Sequence, residues 1–333
     1  MSTMKNALSL CVLLPGLCAG ASAQPGVHEP FTLRQVMSAP FNSDLTAAPA
    51  GDAFAWVSNA EGKRNIWVAR PAADGKAYVS RQLTGYGNDD GQQIGGLTWS
   101  PDGQSILYVR GGTSDNPEKA APNPAHFPGG AEQDVWIVSL NGAVREAGPG
   151  NSPTFSPSGD WVTWFSTGQI WYEKPAEIGV KPPQSIHVFG DSKSFTWSPD
   201  GSKLAFVSDR DSHSFIVVFA PAAGSLTFID PGADHDSFPA WSPDGGQIAF
   251  IRVPYFKDEG FAGPQRTGRP WSIRVADAAT GEGHEVWRAG PGQGSVFRAL
   301  DANQQLFWTA DDHLIFPWEG DGWLHLYALP AQG

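Results

Sequence analysis

At 333 residues, with 41% hydrophobic and 17% charged side chains, the chain is long and apolar enough to bury a sizeable core. Its 34 Asp and Glu against 22 Lys and Arg give a net charge of −12, which argues against nucleic acid or an anionic membrane surface as a partner. Both cysteines, Cys11 and Cys18, fall within the first 23 residues, so the fold beyond them relies on no disulfide.

In chain order, Lys5, the apolar run from Ala7 to Leu17 and the small-residue site Ala21-Ser22-Ala23 read as a secretory signal, residues 1–23, cleaved before Gln24. The mature chain, residues 24–333, is then expected in the periplasm or secreted. The apolar run is too short to span a bilayer, and no later stretch reaches the ~18 apolar residues a span needs, so no membrane insertion of the mature chain is expected. Thr32-Leu33-Arg34-Gln35 has the spacing of a capping box and predicts a helix of a turn or two, ended by Pro40.

From there the chain repeats itself. Trp99-Ser100-Pro101-Asp102-Gly103 recurs as Trp197 to Gly201 and Trp241 to Gly245, and loosely as Phe155 to Gly159. Pro presets φ at the second turn position, Asp suits the third and Gly takes the left-handed one, so each copy predicts a hairpin tip between antiparallel strands. The turn prolines lie about 40 to 55 residues apart, the length of one four-stranded propeller blade with its insertions. The strand after each tip, such as Leu204-Ala205-Phe206-Val207 or Ile248-Ala249-Phe250-Ile251, is apolar on both faces and must be covered by a neighbour before and after. Radially stacked blades supply that cover, so the fold class is all-β: a single-domain β-propeller of about six units.

The first unit is degenerate, with Pro49-Ala50-Gly51 in place of the turn and strands over Ala53 to Ser58, Asn65 to Arg70 and Tyr78 to Thr84. Insertions between second and third strands span Gly111 to Gln133 and Pro254 to Pro270, and such loops are where function usually sits on a repeat scaffold. The last unit starts at Leu306-Phe307-Trp308, replaces the turn by Thr309-Ala310-Asp311-Asp312, and has only three strands, ending with Leu324 to Leu329. A blade needs about four, so the final unit is incomplete, its third strand is an open edge and one face of it is left wet.

The repeated turn, Asp209-Arg210, and the stretch Phe316-Pro317-Trp318-Glu319-Gly320-Asp321-Gly322-Trp323-Leu324-His325-Leu326-Tyr327 carry a more specific signal. Together with Asp89-Asp90-Gly91-Gln92, Val109 to Gly112 and Pro270 to Ile273, they resemble the N-terminal β-propeller of the prolyl oligopeptidase family of serine peptidases, in its dipeptidyl peptidase IV-like branch. The turn motif is also similar to that of the Tol-system propeller TolB. The first resemblance implies a non-catalytic, substrate-gating propeller of an exported peptidase, whose peptide substrates pass to an α/β-hydrolase domain that is absent from this sequence. The second implies an alternative, a freestanding periplasmic scaffold that binds a protein or peptide partner.

The residues support no catalysis of their own. Gly-x-Ser-x-Gly, the turn that holds a hydrolase serine, does not occur, and His284-Glu285 lacks the second His of a zinc peptidase. Asp234-His235-Asp236 reads as a polar turn rather than a cation site, no phosphate-binding Gly-rich loop is present, and no cofactor or metal is expected. Trp67, Trp136, Trp171 and Tyr327, each on a third strand, read as packing between blades rather than a carbohydrate platform. A peptidase that removes N-terminal dipeptides must hold a free ammonium, which carboxylates do by charge-assisted hydrogen bonds. The Glu-Glu motif the resembling branch uses for this has no counterpart, and the candidate substrate-binding acids are Asp89, Asp90, Asp258, Glu259 and Glu319.

Overall fold

The structure is a computed structural model that describes residues 31–112, 126, 128, 132–255, 269–292 and 294–333. The signal segment therefore lies outside the described residues, as do Asp258 and Glu259 with most of both insertions. Two compact units are present, Met1–Ala39 and Pro40–Gly333. In the first, α1 (Leu33–Met37) is closed by the expected capping box: Thr32 Oγ1 accepts from Gln35 N and Thr32 N donates to Gln35 Oε1. Among the described residues no helix is long and apolar enough to cross a membrane.

The second unit is six antiparallel sheets in sequence order. The first holds β1 (Phe41–Ala47), β2 (Phe54–Ala60), β3 (Lys63–Pro71) and β4 (Tyr78–Gln82); the second β5 (Ile94–Trp99), β6 (Ser105–Gly111), β7 (Gln133–Ser139) and β8 (Val144–Pro149). The third holds β9 (Asn151–Phe155), β10 (Val162–Ser166), β11 (Gln169–Glu173) and β12 (Gln184–Ile186). The fourth holds β13 (Asp191–Trp197), β14 (Leu204–Asp209), β15 (Ser214–Ala220) and β16 (Ser225–Ile229), and the fifth β17 (His235–Trp241), β18 (Gln247–Val253), β19 (Ser272–Asp277) and β20 (Gly283–Arg288). The sixth has three strands, β21 (Phe307–Trp308), β22 (His313–Trp318) and β23 (His325–Pro330). A single parallel pair, Ser214 with His235, links the fourth and fifth sheets, which otherwise stand as separate blades. The propeller of six units and its three-stranded end are as the sequence predicts. The first unit gains an inner strand, β1, that the degenerate turn concealed.

The second strands of the second to fifth sheets are covered on both faces, with side chains alternating between two neighbours. Leu204 and Phe206 pack with Ile170 and Tyr172 of the third sheet, whereas Ala205 and Val207 pack with Ile248 and Phe250 of the fifth. Similar apolar layers join first to second sheet through Val57, Ile66, Ile106 and Tyr108, second to third through Leu107, Ile137 and Trp164, and fifth to sixth through Ile251, Ile273, Leu314 and Phe316. Each fully buried side chain of this size contributes on the order of 1.5–3 kcal/mol. Among the described residues no such layer, hydrogen bond or ring contact joins the sixth sheet to the first.

The turn motif does more than reverse the chain. In the three copies that carry Asp the Ser hydroxyl donates to its carboxylate, at 2.6 Å for Ser198 and Asp200, and accepts from the backbone where the next strand begins; in the looser copy Ser158 stands in for the Asp. These bonds hold the Asp200 carboxyl down at about 2. Thr309 and Asp311 reproduce the pattern in the sixth sheet. The tips also touch one another: a Cβ on Gly103 would meet Ala50 O at 2.4 Å and one on Gly201 would meet Ser158 N at 2.7 Å. With φ of 66° and 73°, these positions need glycine for both conformation and clearance. One end of the propeller is thus a chain of stacked tips; connections between second and third strands, and from each blade to the next, gather at the other.

Candidate functional site

Of the predicted acids, the described ones, Asp89, Asp90 and Glu319, sit at this second end. Asp89, on the link from β4 to β5, lies 3.7 Å from Arg64 and accepts from Gly91 N. Asp90 pairs with Arg110, whose guanidinium stacks 4.4 Å from the centre of the Tyr86 ring. Tyr86 in turn shares a 2.7 Å hydrogen bond with the buried Tyr108 hydroxyl. Glu319, between β22 and β23, pairs with Arg298. Asp89 and Asp90 fall between the first two sheets and Glu319 in the sixth, so the structure does not gather them into one pocket, and each described acid has an arginine of its own chain beside it. Asp234-His235-Asp236 is not the polar turn expected: His235 and Asp236 open β17, where the buried Asp236 accepts from Arg252 at 2.6 and 2.8 Å through both oxygens, and Asp234 accepts from Tyr255 N.

A different site comes from the inner strands. Each of the first five slips register against its second strand, at Ser43/Thr46, Gly95/Thr98, Lys193/Thr196 and Ser237/Ala240, and at the Asn151–Thr154 end of β9. The bulge residue has positive φ every time: Asp44 (53°), Gly96 (64°), Ser152 (53°), Ser194 (46°) and Phe238 (55°). In β5, β9, β13 and β17 it stands three residues before the aromatic residue of the turn. Glycine tolerates this conformation, Asp and Ser bear a modest cost, and for a bulky Phe it is a strained geometry the surrounding fold must hold. A bulge leaves the extra residue out of the ladder, bends the strand and re-aims its side chains.

The bent inner strands of sheets three to five, with β21 and the link before it, border a cleft of about 770 Å³. Its walls are aromatic, with Phe165, Phe195, Trp197, Trp241, Phe307 and Trp308, interleaved with Ser152, Ser194, Thr196, Asn303 and Gln304. None of the lining residues is an acid, a base, a cysteine or a histidine, so the cleft is electrically neutral. Trp241 Nε1 donates to Thr196 O at 3.1 Å and Trp308 Nε1 to Asp312 Oδ1 at 3.2 Å, whereas the buried Trp197 Nε1 has no partner. Gln304 Nε2 ties the long link before β21 to Pro239 O at 3.0 Å. Reasoning from charge missed this site because no charged residue builds it. The signal was the recurrence of a turn-prone or misplaced residue three places before the turn aromatic.

Of the four third-strand aromatics, Trp136, Trp171 and Tyr327 pack against the interblade layers as expected. Trp67 instead stacks on Trp56, ring centres 6.3 Å apart, on the outer face of the first sheet.

No protein-family model matches the sequence, and no curated protein matches it either. Solved structures do. A prolyl endopeptidase is 16% identical, with 89% of this chain and 42% of that one covered and a TM-score of 0.51. TolB from Acinetobacter baumannii is 16% identical over 76% of this chain and 55% of that one, with a TM-score of 0.36. The β-propeller domain of the trilobed protease from Pyrococcus furiosus is 14% identical over 72% and 82% of the two chains, with a TM-score of 0.41. The chain spans about half the length of the first two. The chain is thus a β-propeller, similar in fold to the prolyl endopeptidase structure.

Proposed function

We propose that the chain is the non-catalytic, substrate-gating propeller of an exported peptidase of prolyl-oligopeptidase type, and that the inner-strand cleft is where it holds an extended peptide. The observation that carries this reading is the composition of the cleft. Aromatic faces offer large, rigid contact area to peptide side chains, and hydroxyl and amide groups between them satisfy a peptide backbone. The bulges at Ser152, Ser194 and Phe238 break the ladder on the strands that face the cleft and re-aim their side chains there, so the wall is shaped by side chains rather than by a flat sheet edge. A neutral, partly dry cleft disfavours charged side chains, whose desolvation it cannot repay.

Tryptophan fluorescence during titration with short extended peptides tests this. Uncharged peptides are expected to bind and to weaken about ten-fold in Trp197→Ala, as for a central aromatic anchor. The same peptide carrying a central Glu or Lys, or held inside a folded domain, is expected not to bind. Indifference to charge, to folding of the ligand and to Trp197 would sink the reading.

A further inference from the structure

Arg64, Arg110, Arg252 and Arg274 are half-buried, and each lies beside an acid of its own chain. Arg210, half-buried where β14 turns back into β15, does not. Its guanidinium carbon lies 4.6 Å from the centre of the Phe215 ring and 5.6 and 5.7 Å from those of Phe189 and Phe228. Nε is buried with no partner, and among the described residues no group accepts from the two terminal nitrogens, which reach the surface. Ring faces attract the cation but accept none of its in-plane donors, so the guanidinium fork is held in place with its donors unpaired. The rings reach the surface as well: Phe189 is 77% and Phe228 37% exposed.

Neighbouring acids do not neutralise it. Ser208 faces Phe215 across the ladder and Val217 faces Phe228, which places both rings, and Arg210 with them, on the side of the fourth sheet toward the third. Asp209 follows Val207 onto the opposite side, toward the fifth sheet, and accepts from Lys193 there. Asp191 and Asp211 act on that same lysine, and Asp230 pairs with Arg252 and Arg274. On the side of Arg210, the adjoining stretches of the third sheet, Ser166 to Gln169 and Ile186 to Gly190, contain no acid. His213 sets a second basic side chain against the Phe215 ring, 4.9 Å between centres. An unpaired guanidinium in such a rim fits a carboxylate, which takes two parallel hydrogen bonds from the fork. The rings select further: an Asp or Glu side chain brings no apolar group of its own, whereas a C-terminal carboxylate has the last residue's side chain on the adjoining carbon. We propose that the groove of Phe189, Arg210, Phe215 and Phe228 binds the C-terminal carboxylate of a peptide that ends in an apolar residue. None of the four residues lines the inner-strand cleft, so this site stands apart from it.

Fluorescence anisotropy of a tetrapeptide ending in leucine, dye-labelled at its N-terminus, tests this on the whole chain. The free acid is expected to bind, and its C-terminal amide to bind about ten-fold more weakly or worse, as for the loss of hydrogen bonds to a charged group. Arg210→Gln is expected to weaken the acid by the same factor and leave the amide unchanged; Arg210→Lys, which keeps the charge without the fork, is expected to lose most of the preference. Trp197→Ala, in the cleft, is expected to leave the acid-to-amide ratio as it is, so that failure of the cleft reading and failure of this one are told apart. Equal binding of acid and amide by wild type overturns the inference without any variant, as does binding of neither, and so does an Arg210→Gln chain that keeps the ratio. An amidated peptide with Glu as its last residue that binds like the free acid, or inorganic phosphate that displaces the free acid at equal concentration, overturns the choice of a C-terminus.

Discussion

Glu173 closes β11 with its side chain turned into the layer between the second and third sheets, beside Val162 and Ile178, and it is 5% exposed. Neither carboxylate oxygen has a hydrogen-bond partner. Burial, with Glu177 nearby and only partly offset by Arg145, pushes its pKa up to about 7. An unfolded chain gives up this proton near the ordinary glutamate value, about 4.3, so between that pH and 7 the folded state binds more protons than the unfolded one. The sign follows: stability is whole at low pH and falls as pH rises through this window. A shift of about 2.5 pH units corresponds to about 3 kcal/mol by pH 8, on the order of 5 °C in midpoint for a domain of this size. Glu173→Gln cannot ionise. Its midpoint, followed by tryptophan fluorescence from pH 4 to 8, is expected to match wild type at pH 4 and to exceed it at pH 8 by about this amount. Asp236, also held high by burial at about 6, slopes the same way in both proteins and cancels in the difference. Parallel curves for the two proteins would refute the reasoning.

Asp236 and Arg252 form a nearly buried two-point ion pair that continues through Asp230 to Arg274, and Asp236→Asn is expected to cost about 2 to 3 kcal/mol in urea unfolding by leaving a buried guanidinium short of a charge. Hydrogen exchange is expected to be slowest in β14 and β18, whose residues 204–207 and 248–251 are buried on both faces, and fastest in β4 and β23. The purified chain is expected to hydrolyse no peptide or ester and to leave a fluorophosphonate probe unreacted; labelling of a serine in the folded protein only would contradict this. Protein sequencing of the exported form is expected to start at Gln24, and recovery with Met1 intact from the cytoplasm would count against export.

The scaffold was legible because its information is local and repeated. A Pro-Asp-Gly tip fixes a hairpin, and an apolar second strand such as Leu204 to Val207 demands two neighbours, so three exact copies and one loose one define an architecture even where Pro49-Ala50-Gly51 blurs the first. The candidate site was not legible in the same way. Asp89, Asp90 and Glu319 attract notice as charged loop residues, yet which charge stands beside an acid depends on residues brought near by the fold: Arg110 lies twenty positions from Asp90 and Arg298 twenty-one from Glu319. Cleft residues such as Trp197 and Phe307 read as core because a strand pattern cannot show that an inner strand is bent or that a channel lies in front of it.

The bulges explain why a repeat built for packing yields a cleft. An inner strand in unbroken register would alternate its side chains between the two neighbouring blades, as the second strands do, and leave only an edge toward the axis. One extra residue, placed three positions before the turn aromatic, breaks that register where the strand approaches the axis while leaving the turn and its Trp or Phe free to pack. The cost is the left-handed conformation, small at Gly96 and largest at Phe238, where no local chemistry favours it. A position that keeps the geometry with so unsuited a residue is held by its surroundings, here the Phe297 ring 5.9 Å from Phe238 and the Gln304 bond to the next residue, Pro239. Of the bulge residues, Ser152 and Ser194 line the cleft and Phe238 adjoins Pro239 on its wall, so three of the five breaks in the inner ladders border this one cavity.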